Sequence, residues 1–260
     1  MMASIAAARA GAKTLLLERY GFLGGTATFG IPFLGFIAGN GSRVVDGIPQ
    51  ELVNKLIEMH ASPGHVQGAK WNLKQDYEFA ITPFEPEALK YAALELAISS
   101  GVEICFHSYF SDLKMDAEQI ERIEVTDKAG KHWLDGDVFI DATGDADLAY
   151  KAGFAFASGD SKQRMQNVSL IFSLGNVELQ ETEEALLANR GFNDHENWHT
   201  RILKGSKIDG STGLIHFAGH MQPWPDRAPV TFTCVSYRQG QVSLNITRTA
   251  GIDGTNPFDL

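Results

Sequence analysis

Several features that would indicate particular classes of protein are scarce or missing in this chain. It has two cysteines, Cys105 and Cys234, too few for a disulfide framework or a four-cysteine iron–sulfur site. Its 22 Lys and Arg against 32 Asp and Glu give a net charge of −10, which argues against nucleic acid or an anionic membrane as the main partner. No apolar run approaches the roughly 20 residues of a membrane span, and the first residues lack the pattern of a secretory signal. A reduced, cytoplasmic setting is therefore expected.

The sequence does contain enough apolar residues for a sizeable core. At 260 residues, 44% apolar and 21% charged, it fits one large domain or two of ordinary size, and its composition is not that of a disordered protein. Its 26 glycines exceed the roughly 7% that is usual in proteins. The composition therefore favours a globular protein with many tight turns.

The opening stretch, MMASIAAARAGAKTLLLE, predicts a helix, a strand and an acid in succession. The alanine-rich helix ends at Ala10-Gly11, and the apolar run from Thr14 to Leu17 ends at Glu18. In a dinucleotide-binding unit, an acid after the second strand accepts hydrogen bonds from both hydroxyls of the adenosine ribose. An ordinary helix–strand unit that ends in a surface glutamate fits this stretch equally well, so both interpretations stay open here.

A glycine-rich stretch, GFLGGTAT, begins three residues after Glu18. Gly24 and Gly25 expose backbone N–H groups with no Cβ in the way, and Thr26 and Thr28 add hydroxyl donors. A phosphate or a flavin edge can approach such a backbone closely. A flexible turn is the alternative for this stretch when it is considered alone.

A second candidate loop lies in DVFIDATGDADLA. The pattern predicts a buried strand over residues 138–140, a tight turn at Thr143-Gly144 and a helix with acids in its first turn. Asp145 and Asp147 are expected either to hydrogen-bond ligand hydroxyls or to stabilise the helix dipole. Capping is the simpler role for Asp147.

The order of the predicted elements indicates an α/β fold with two domains. Helical spacing predicts a helix after the candidate N-cap Asp46 and a second helix over 83–101. Residues 102–135 alternate as short strands with a hairpin, and residues 61–82 are irregular, with a possible hairpin. From about residue 154 longer strands surround a helical piece near 178–204, which favours a mostly antiparallel second domain.

Three segments together resemble a known family: AAARAGAKTLLLERYGFLGGTAT, FEPEALKYAALELAISSGVEI and VFIDATGDADLAYKAG. They resemble the FAD-dependent oxidoreductases of the glutathione-reductase-like flavoprotein superfamily, in which LLxERxGxLGGxxT is followed by DATGDxDLA. The resemblance covers most of residues 1–175, and NITRTAGIDGT near the end is also similar to that family. It implies a Rossmann-like FAD-binding domain over 1–153, with an insertion about 30–82, and a mixed, largely antiparallel substrate domain over 154–260.

The resemblance also implies which residues contact a non-covalently bound FAD. Glu18 would hold the adenosine ribose, with Arg19 beside it, and the strand end near Phe110 would pass the adenine. The pyrophosphate and flavin would be lined by two loops, Gly24-Gly25-Thr26 and Thr143-Gly144-Asp145. Hydride or electrons would move to or from a small organic substrate, and because the flavin carries the redox chemistry, no catalytic side chain is assigned.

The sequence departs from the family pattern in two places. The family's first strand and its Gly-x-Gly-x-x-Gly loop have no counterpart ahead of the first helix, and the chain stops before a further glycine–aspartate flavin contact. We therefore expect a chain truncated at both ends, with an FAD-binding domain that lacks its first strand and an incomplete substrate domain. A remnant of a flavoprotein that binds nothing is an alternative function.

A third hypothesis comes from HENWH, which matches the zinc-hydrolase signature H-E-x-x-H. On a helix His195 and His199 would share one face, with Glu196 as the general base. No glutamate follows Glu196, and its flanks are more polar than such a helix usually has, so a polar helix face in the substrate domain is the simpler interpretation. His216 and His220, also four residues apart, have the same interpretation, with a substrate carboxylate as the alternative partner.

Overall fold

The computed structural model describes residues 1–69, 79–162, 164–178, 181, 199–203, 214–219, 230–238, 240–245, 249, 251–254, 256 and 258. Its elements follow one another as α1 (Met2–Arg9), β1 (Leu15–Leu17), a 3₁₀ helix (Gly25–Phe29), β2 (Phe33–Leu34), α2 (Ile48–Glu58), β3 (Val66–Ala69), β4 (Phe79–Thr82), α3 (Pro86–Ser99), β5 (Glu103–Cys105), β6 (Tyr109–Asp116), β7 (Gln119–Asp127), β8 (Gly130–Asp135), α4 (Asp147–Lys151), β9 (Ile171–Leu174), β10 (His199–Leu203), β11 (Leu214–Gly219), β12 (Val230–Arg238) and β13 (Gln241–Asn245).

The chain divides into two compact units, Met1–Leu23 with Ala93–Arg164 and Gly24–Ala92 with Met165–Leu260. The fold is the predicted α/β class, with small and mostly antiparallel sheets. The predicted boundary between residues 153 and 154 stays a prediction. Among the described residues, none of the helices has the length and apolar content that a membrane span requires.

The first unit contains the one parallel strand pair among the described sheets, β1 with β5. Helix α1 leads into β1 as predicted, because Ala10 ends the helix and Gly11 takes the left-handed φ of 92°. Strands β6, β7 and β8 form an antiparallel meander, the predicted hairpin with one more strand. Their core cluster consists of Ile123, Val125 and Leu148.

Helix α3 follows its local sequence signals closely. Pro86 is its first residue, and the Glu85 carboxylate accepts a hydrogen bond from the backbone N–H of Ala88 at 2.6 Å. After its last turn Gly101 takes a φ of 84°. The buried face is apolar along its whole length, with Leu89, Ala92, Ala93, Leu96 and Ala97. The helix is confirmed where the spacing predicts it.

The second unit contains a three-stranded sheet in the order β2-β4-β3 and a five-stranded antiparallel sheet in the order β10-β11-β12-β13-β9. The predicted irregular stretch 61–82 thus includes a described strand pair, β3 with β4. Helix α2 buries Leu52, Val53 and Leu56. Its N-cap is Gly47 and not the expected Asp46, whose carboxylate lies 3.5 Å from Arg43 Nη1 instead.

One predicted element is wrong, and a second is wrong at its end. Residues 138–140 form no strand, because no described strand pairs with them, and an apolar run becomes a strand only where a neighbour accepts its backbone hydrogen bonds. The side chains of Val138 and Ile140 are 78% and 59% exposed, whereas Phe139 packs on the core of the first unit. The helical piece near 178–204 ends in strand β10, and most of its remainder lies outside the described residues.

Candidate functional site

Glu18 lies at the carboxyl end of the parallel pair in the first unit. Its backbone N–H donates to the carbonyl of Cys105 at 2.9 Å, and its own carbonyl accepts from the N–H of Ser108 at 3.1 Å. Its half-buried carboxylate accepts a hydrogen bond from the backbone N–H of Tyr20 on Oε1, at 2.9 Å. In open α/β sheets ligands bind outside the carboxyl ends of parallel strands. The fold therefore holds this carboxylate, in a fixed orientation, where such a ligand would lie.

The residues after Glu18 form a small aromatic surface. The guanidinium of Arg19 lies 4.8 Å from the ring centroid of Tyr20, and the Tyr20 ring stacks on Phe22 at 5.4 Å. His107, which the sequence did not single out, takes a left-handed φ of 53° and donates its N–H to the Tyr20 carbonyl at 3.3 Å. Its ring lies so close to Gly21 that a Cβ there would be 2.9 Å from Cε1. A side chain at position 21 would therefore require the exposed His107 ring to move aside.

The predicted glycine loop lies in the second unit and opens the 3₁₀ helix. Gly24 and Gly25 have φ values of 121° and 54°. A Cβ at Gly24 would be 2.7 Å from Cγ2 of Thr28, whereas at Gly25 nothing lies within 4 Å. The buried hydroxyl of Thr28 donates to the carbonyl of Gly25 at 2.7 Å and braces the turn, while Thr26 is exposed. Gly25 thus leaves open space beside an exposed backbone.

The second predicted loop lies in the first unit, and Asp141 organises it. Asp141 Oδ1 accepts hydrogen bonds from the N–H and the hydroxyl of Thr143, at 3.0 and 2.7 Å, and Oδ2 accepts from the N–H of Ala149 at 2.9 Å. Burial raises the pKa of Asp141, but these hydrogen bonds outweigh it and the net pKa lies below the usual value. Thr143, Gly144 and Asp145 are exposed. Asp141 was not among the predicted site residues, although an Asp before a Thr-Gly turn is a typical turn-forming residue.

Phe110 lies in β6, opposite Val125 of β7. Its half-buried side chain packs against the core cluster of the first unit, so the ring has a packing role there. The predicted site residues divide between the two units. Six lie in the first unit: Glu18, Arg19, Phe110, Thr143, Gly144 and Asp145. Three lie in the second unit: Gly24, Gly25 and Thr26.

A buried polar network in the second unit was also missed. His65 Nδ1 lies 2.7 Å from the hydroxyl of Thr82, and His65 Nε2 lies 2.9 Å from Oε1 of Gln50. Since the amide nitrogen of Gln50 donates to Asn54, its oxygen accepts from His65 Nε2–H, and Nδ1 accepts from Thr82. Burial, and secondarily the charge of Arg43, lowers the pKa of His65. This imidazole is neutral at neutral pH.

The zinc hypothesis does not gain support. His199 is the first residue of strand β10, so it does not lie on the helix that the signature requires. His216 lies in β11, and the residues His195, Glu196 and His220 lie outside the described residues. Within the described ranges, no group of three or more His, Cys, Asp or Glu side chains could hold a metal ion.

The parallel strand pair that ends at a carboxylate, together with small antiparallel sheets, defines a mixed α/β protein. The sequence matches the model of the FAD dependent oxidoreductase family over residues 1–254, and the chain belongs to that family. The search among curated proteins found no match.

Solved structures show the same fold. One is a glycerol-3-phosphate dehydrogenase from Bacillus halodurans complexed with FAD, at 11% identity and a TM-score of 0.50, covering 96% of this chain and 45% of that one. Another is BexE, described in connection with oxidation during BE-7585A biosynthesis, at 14% identity and a TM-score of 0.50, covering 98% of this chain and 43% of that one. The chain spans less than half the length of these two structures.

The described residues fit FAD, the cofactor of this family. A carboxylate at the end of β1 suits the hydroxyls of a ribose, since it accepts without donating. The space beside Gly25 would be filled by any Cβ-bearing residue. In the part of the chain that the structure describes, the backbone N–H groups of Gly144 and Asp145 have no protein acceptor. Such groups are suited to phosphate oxygens.

Proposed function

We propose that the protein is an FAD-dependent oxidoreductase of the glutathione-reductase-like superfamily, which moves hydride or electrons to or from a small organic substrate in the cytoplasm. The bound flavin supplies the redox chemistry, and the protein supplies binding and orientation. The observation that carries the proposal is the Glu18 carboxylate, held at the carboxyl end of a parallel strand in a chain that matches the family over residues 1–254.

Glu18 is the proposed contact to the adenosine ribose. The hydrogen bond from Tyr20 N–H occupies one lone pair of Oε1 and fixes the side chain, so Oε2 stays available to accept from a hydroxyl. Because the side chain is already ordered, binding does not need to freeze its rotamers again. Arg19 and the strand end near Phe110 are the proposed neighbours of the adenine.

Two loops are the proposed contacts to the phosphates and the flavin: Gly24-Gly25-Thr26 in the second unit and Thr143-Gly144-Asp145 in the first. Both expose backbone at glycines with positive φ, 54° at Gly25 and 95° at Gly144. Backbone N–H groups in such turns form concave anion-binding surfaces. The proposal assigns them binding and orientation, and no proton transfer.

The substitution Glu18→Gln tests the proposal, with Glu103→Gln as a matched control. Glu103 is an exposed acid at the start of the neighbouring strand β5. FAD is titrated into each purified variant, and the quenching of flavin fluorescence gives the dissociation constant. Glu18→Gln replaces one carboxylate oxygen by an NH₂ group and removes the charge. We expect the affinity for FAD to fall about 10- to 100-fold, because one charged hydrogen bond is lost.

The wild-type protein and Glu103→Gln should bind FAD alike. If the folded wild-type protein takes up no FAD, the non-binding remnant is the better description. If FAD binds and Glu18→Gln binds as tightly as the wild type, the ribose contact lies elsewhere.

A further inference from the structure

One carboxylate ties the turn at residues 143–145 to the helix that follows it. Asp141 uses Oδ1 for two donors of Thr143 and Oδ2 for the N–H of Ala149, eight residues further on. The hydroxyl of Thr143 in turn accepts from the N–H of Asp147 at 2.9 Å. Two of these four hydrogen bonds close the turn itself, and the other two, from the N–H groups of Asp147 and Ala149, connect it to the first turn of α4.

Helix α4 depends on these bonds because its own cap is unusual. The N-cap residue is Ala146, in a left-handed conformation with φ 60° and ψ 39°, and it offers no side-chain acceptor. The first N–H groups of a helix have no intrahelical partners and need acceptors from outside. Thr143 and Asp141 supply two of these acceptors, so Asp141 acts as a remote cap.

The other side of α4 is anchored to the body of the first unit. Leu148 is buried in the cluster with Ile123 and Val125, and Lys151 Nζ lies 3.1 Å from Oδ1 of Asp112 in β6. Leu148 therefore anchors α4 in the core of the first unit, and Asp141 and Thr143 join the exposed turn to this helix.

We propose that Asp141 is a positioning residue that holds the turn Thr143–Asp145 in the form that receives the cofactor phosphates. The proposal rests on the proposed FAD function. Gly144, at φ 95°, and Asp145 have backbone N–H groups with no acceptor among the described residues, and these are the groups offered to the phosphates. A turn that keeps this form for only a fraction of the time binds its ligand more weakly by that fraction.

The test compares Asp141→Asn with Asp137→Asn, an exposed acid four residues away. An asparagine has one acceptor oxygen, so either the donors of Thr143 or the N–H of Ala149 would face its NH₂ group. FAD titration by flavin fluorescence is combined with amide hydrogen exchange measured without FAD. For Asp141→Asn we expect the FAD dissociation constant to rise about tenfold or more, because one charged hydrogen bond is lost. The backbone amides of Thr143 and Ala149 should exchange faster for the same reason. Asp137→Asn should match the wild type in both.

A second pair of variants serves if Asp141→Asn fails to fold. Thr143→Ser keeps the hydroxyl that bonds Asp141 and Asp147, while Thr143→Val keeps the shape and removes it. Because Thr143 is itself a proposed cofactor contact, the serine variant is compared by amide exchange without FAD, and exchange at Asp147 and Ala149 should stay close to that of the wild type. The valine variant should show faster exchange at these two amides and weaker FAD binding, as Asp141→Asn does. A role in general stability alone would leave the FAD dissociation constant unchanged once the fraction of folded protein is corrected for.

The results separate the two proposals. Unchanged FAD affinity and exchange in Asp141→Asn, or in Thr143→Val, would overturn the positioning role while the FAD function stands. Absence of FAD binding by the folded wild-type protein would overturn the FAD function and, with it, the role of Asp141 toward the cofactor phosphates.

Discussion

Adding a single methyl group at each of the two adjacent glycines of the 3₁₀ turn should have very different effects on stability. Gly24 has a φ of 121°, which L-residues rarely adopt, and its new Cβ would lie 2.7 Å from Cγ2 of Thr28. Gly25 has a φ of 54°, inside the left-handed region, with nothing within 4 Å of the new atom. The two alanine variants therefore add the same atom to neighbouring positions, one crowded and one open.

The expected magnitudes follow from the two surroundings. At Gly24 the backbone strain costs about 1–3 kcal/mol, and the overlap adds about 1–3 kcal/mol, because Thr28 is buried and held by its hydrogen bond to the Gly25 carbonyl. At Gly25 the left-handed strain is about 1–2 kcal/mol, and the stiffer unfolded chain offsets about 0.4–1 kcal/mol of it. The unfolded-chain offset applies equally to both variants, so the difference comes from the overlap and the larger strain at Gly24, and Gly24→Ala should be the more destabilising by about 2 kcal/mol.

Urea unfolding of both variants, followed by circular dichroism without FAD, measures the difference. The substitution Thr28→Ser removes the obstructing methyl group and keeps the hydroxyl. In the Gly24→Ala background it should restore part of the lost stability, whereas in the wild type it costs about 1 kcal/mol for the lost buried methyl. Equal destabilisation at the two glycines, or no recovery with Thr28→Ser, would refute the steric account of this turn.

Three further predictions concern other contacts. Gly21→Ala should cost only about 0.5 kcal/mol or less in urea unfolding, because the His107 ring 2.9 Å from its Cβ is exposed and can turn aside, and a larger loss would contradict this. The pKa of His65 is lowered in the folded state, so the unfolded chain takes up a proton at a higher pH and the free energy of unfolding should fall as the pH drops below about 6.5. His65→Gln should reduce the slope of unfolding free energy against pH, and a slope equal to that of the wild type would contradict this account. Phe84→Ala removes a fully buried ring 4.3 Å from that of Phe33 and should cost about 3–5 kcal/mol, a loss that a small shift of the urea midpoint would disprove.

Much of the local structure was predictable because its signals lie within a few residues. The helix α3 has its proline at the start, its apolar face and the glycine after its end, and all of these are local in sequence. The alternating strands about residues 127–130 form the predicted hairpin. The positive φ values of Gly24 and Gly25 likewise agree with the sequence pattern that singled them out. The FAD-dependent oxidoreductase family, and FAD as its cofactor, are confirmed by the match over residues 1–254.

The parts that could not be predicted depend on partners far away in sequence. The three apolar residues at 138–140 have the pattern of a buried strand. A strand forms only where a neighbouring strand pairs with its backbone, and no described strand pairs with these residues. Asp141 looks like one more acid, and only the folded turn shows that it accepts the N–H of Ala149 in α4. His107 became notable only because the chain returns its ring to Gly21.

The sequence by itself therefore determined the α/β class, the order of its principal local elements and the family. Only the tertiary structure decided which carboxylates have fixed orientations, which glycines are crowded and which apolar run stays exposed. The physical reason is that helix caps, turns and periodicity are set by neighbouring residues, whereas hydrogen-bond acceptors, close contacts and strand partners come from segments that meet only when the chain folds.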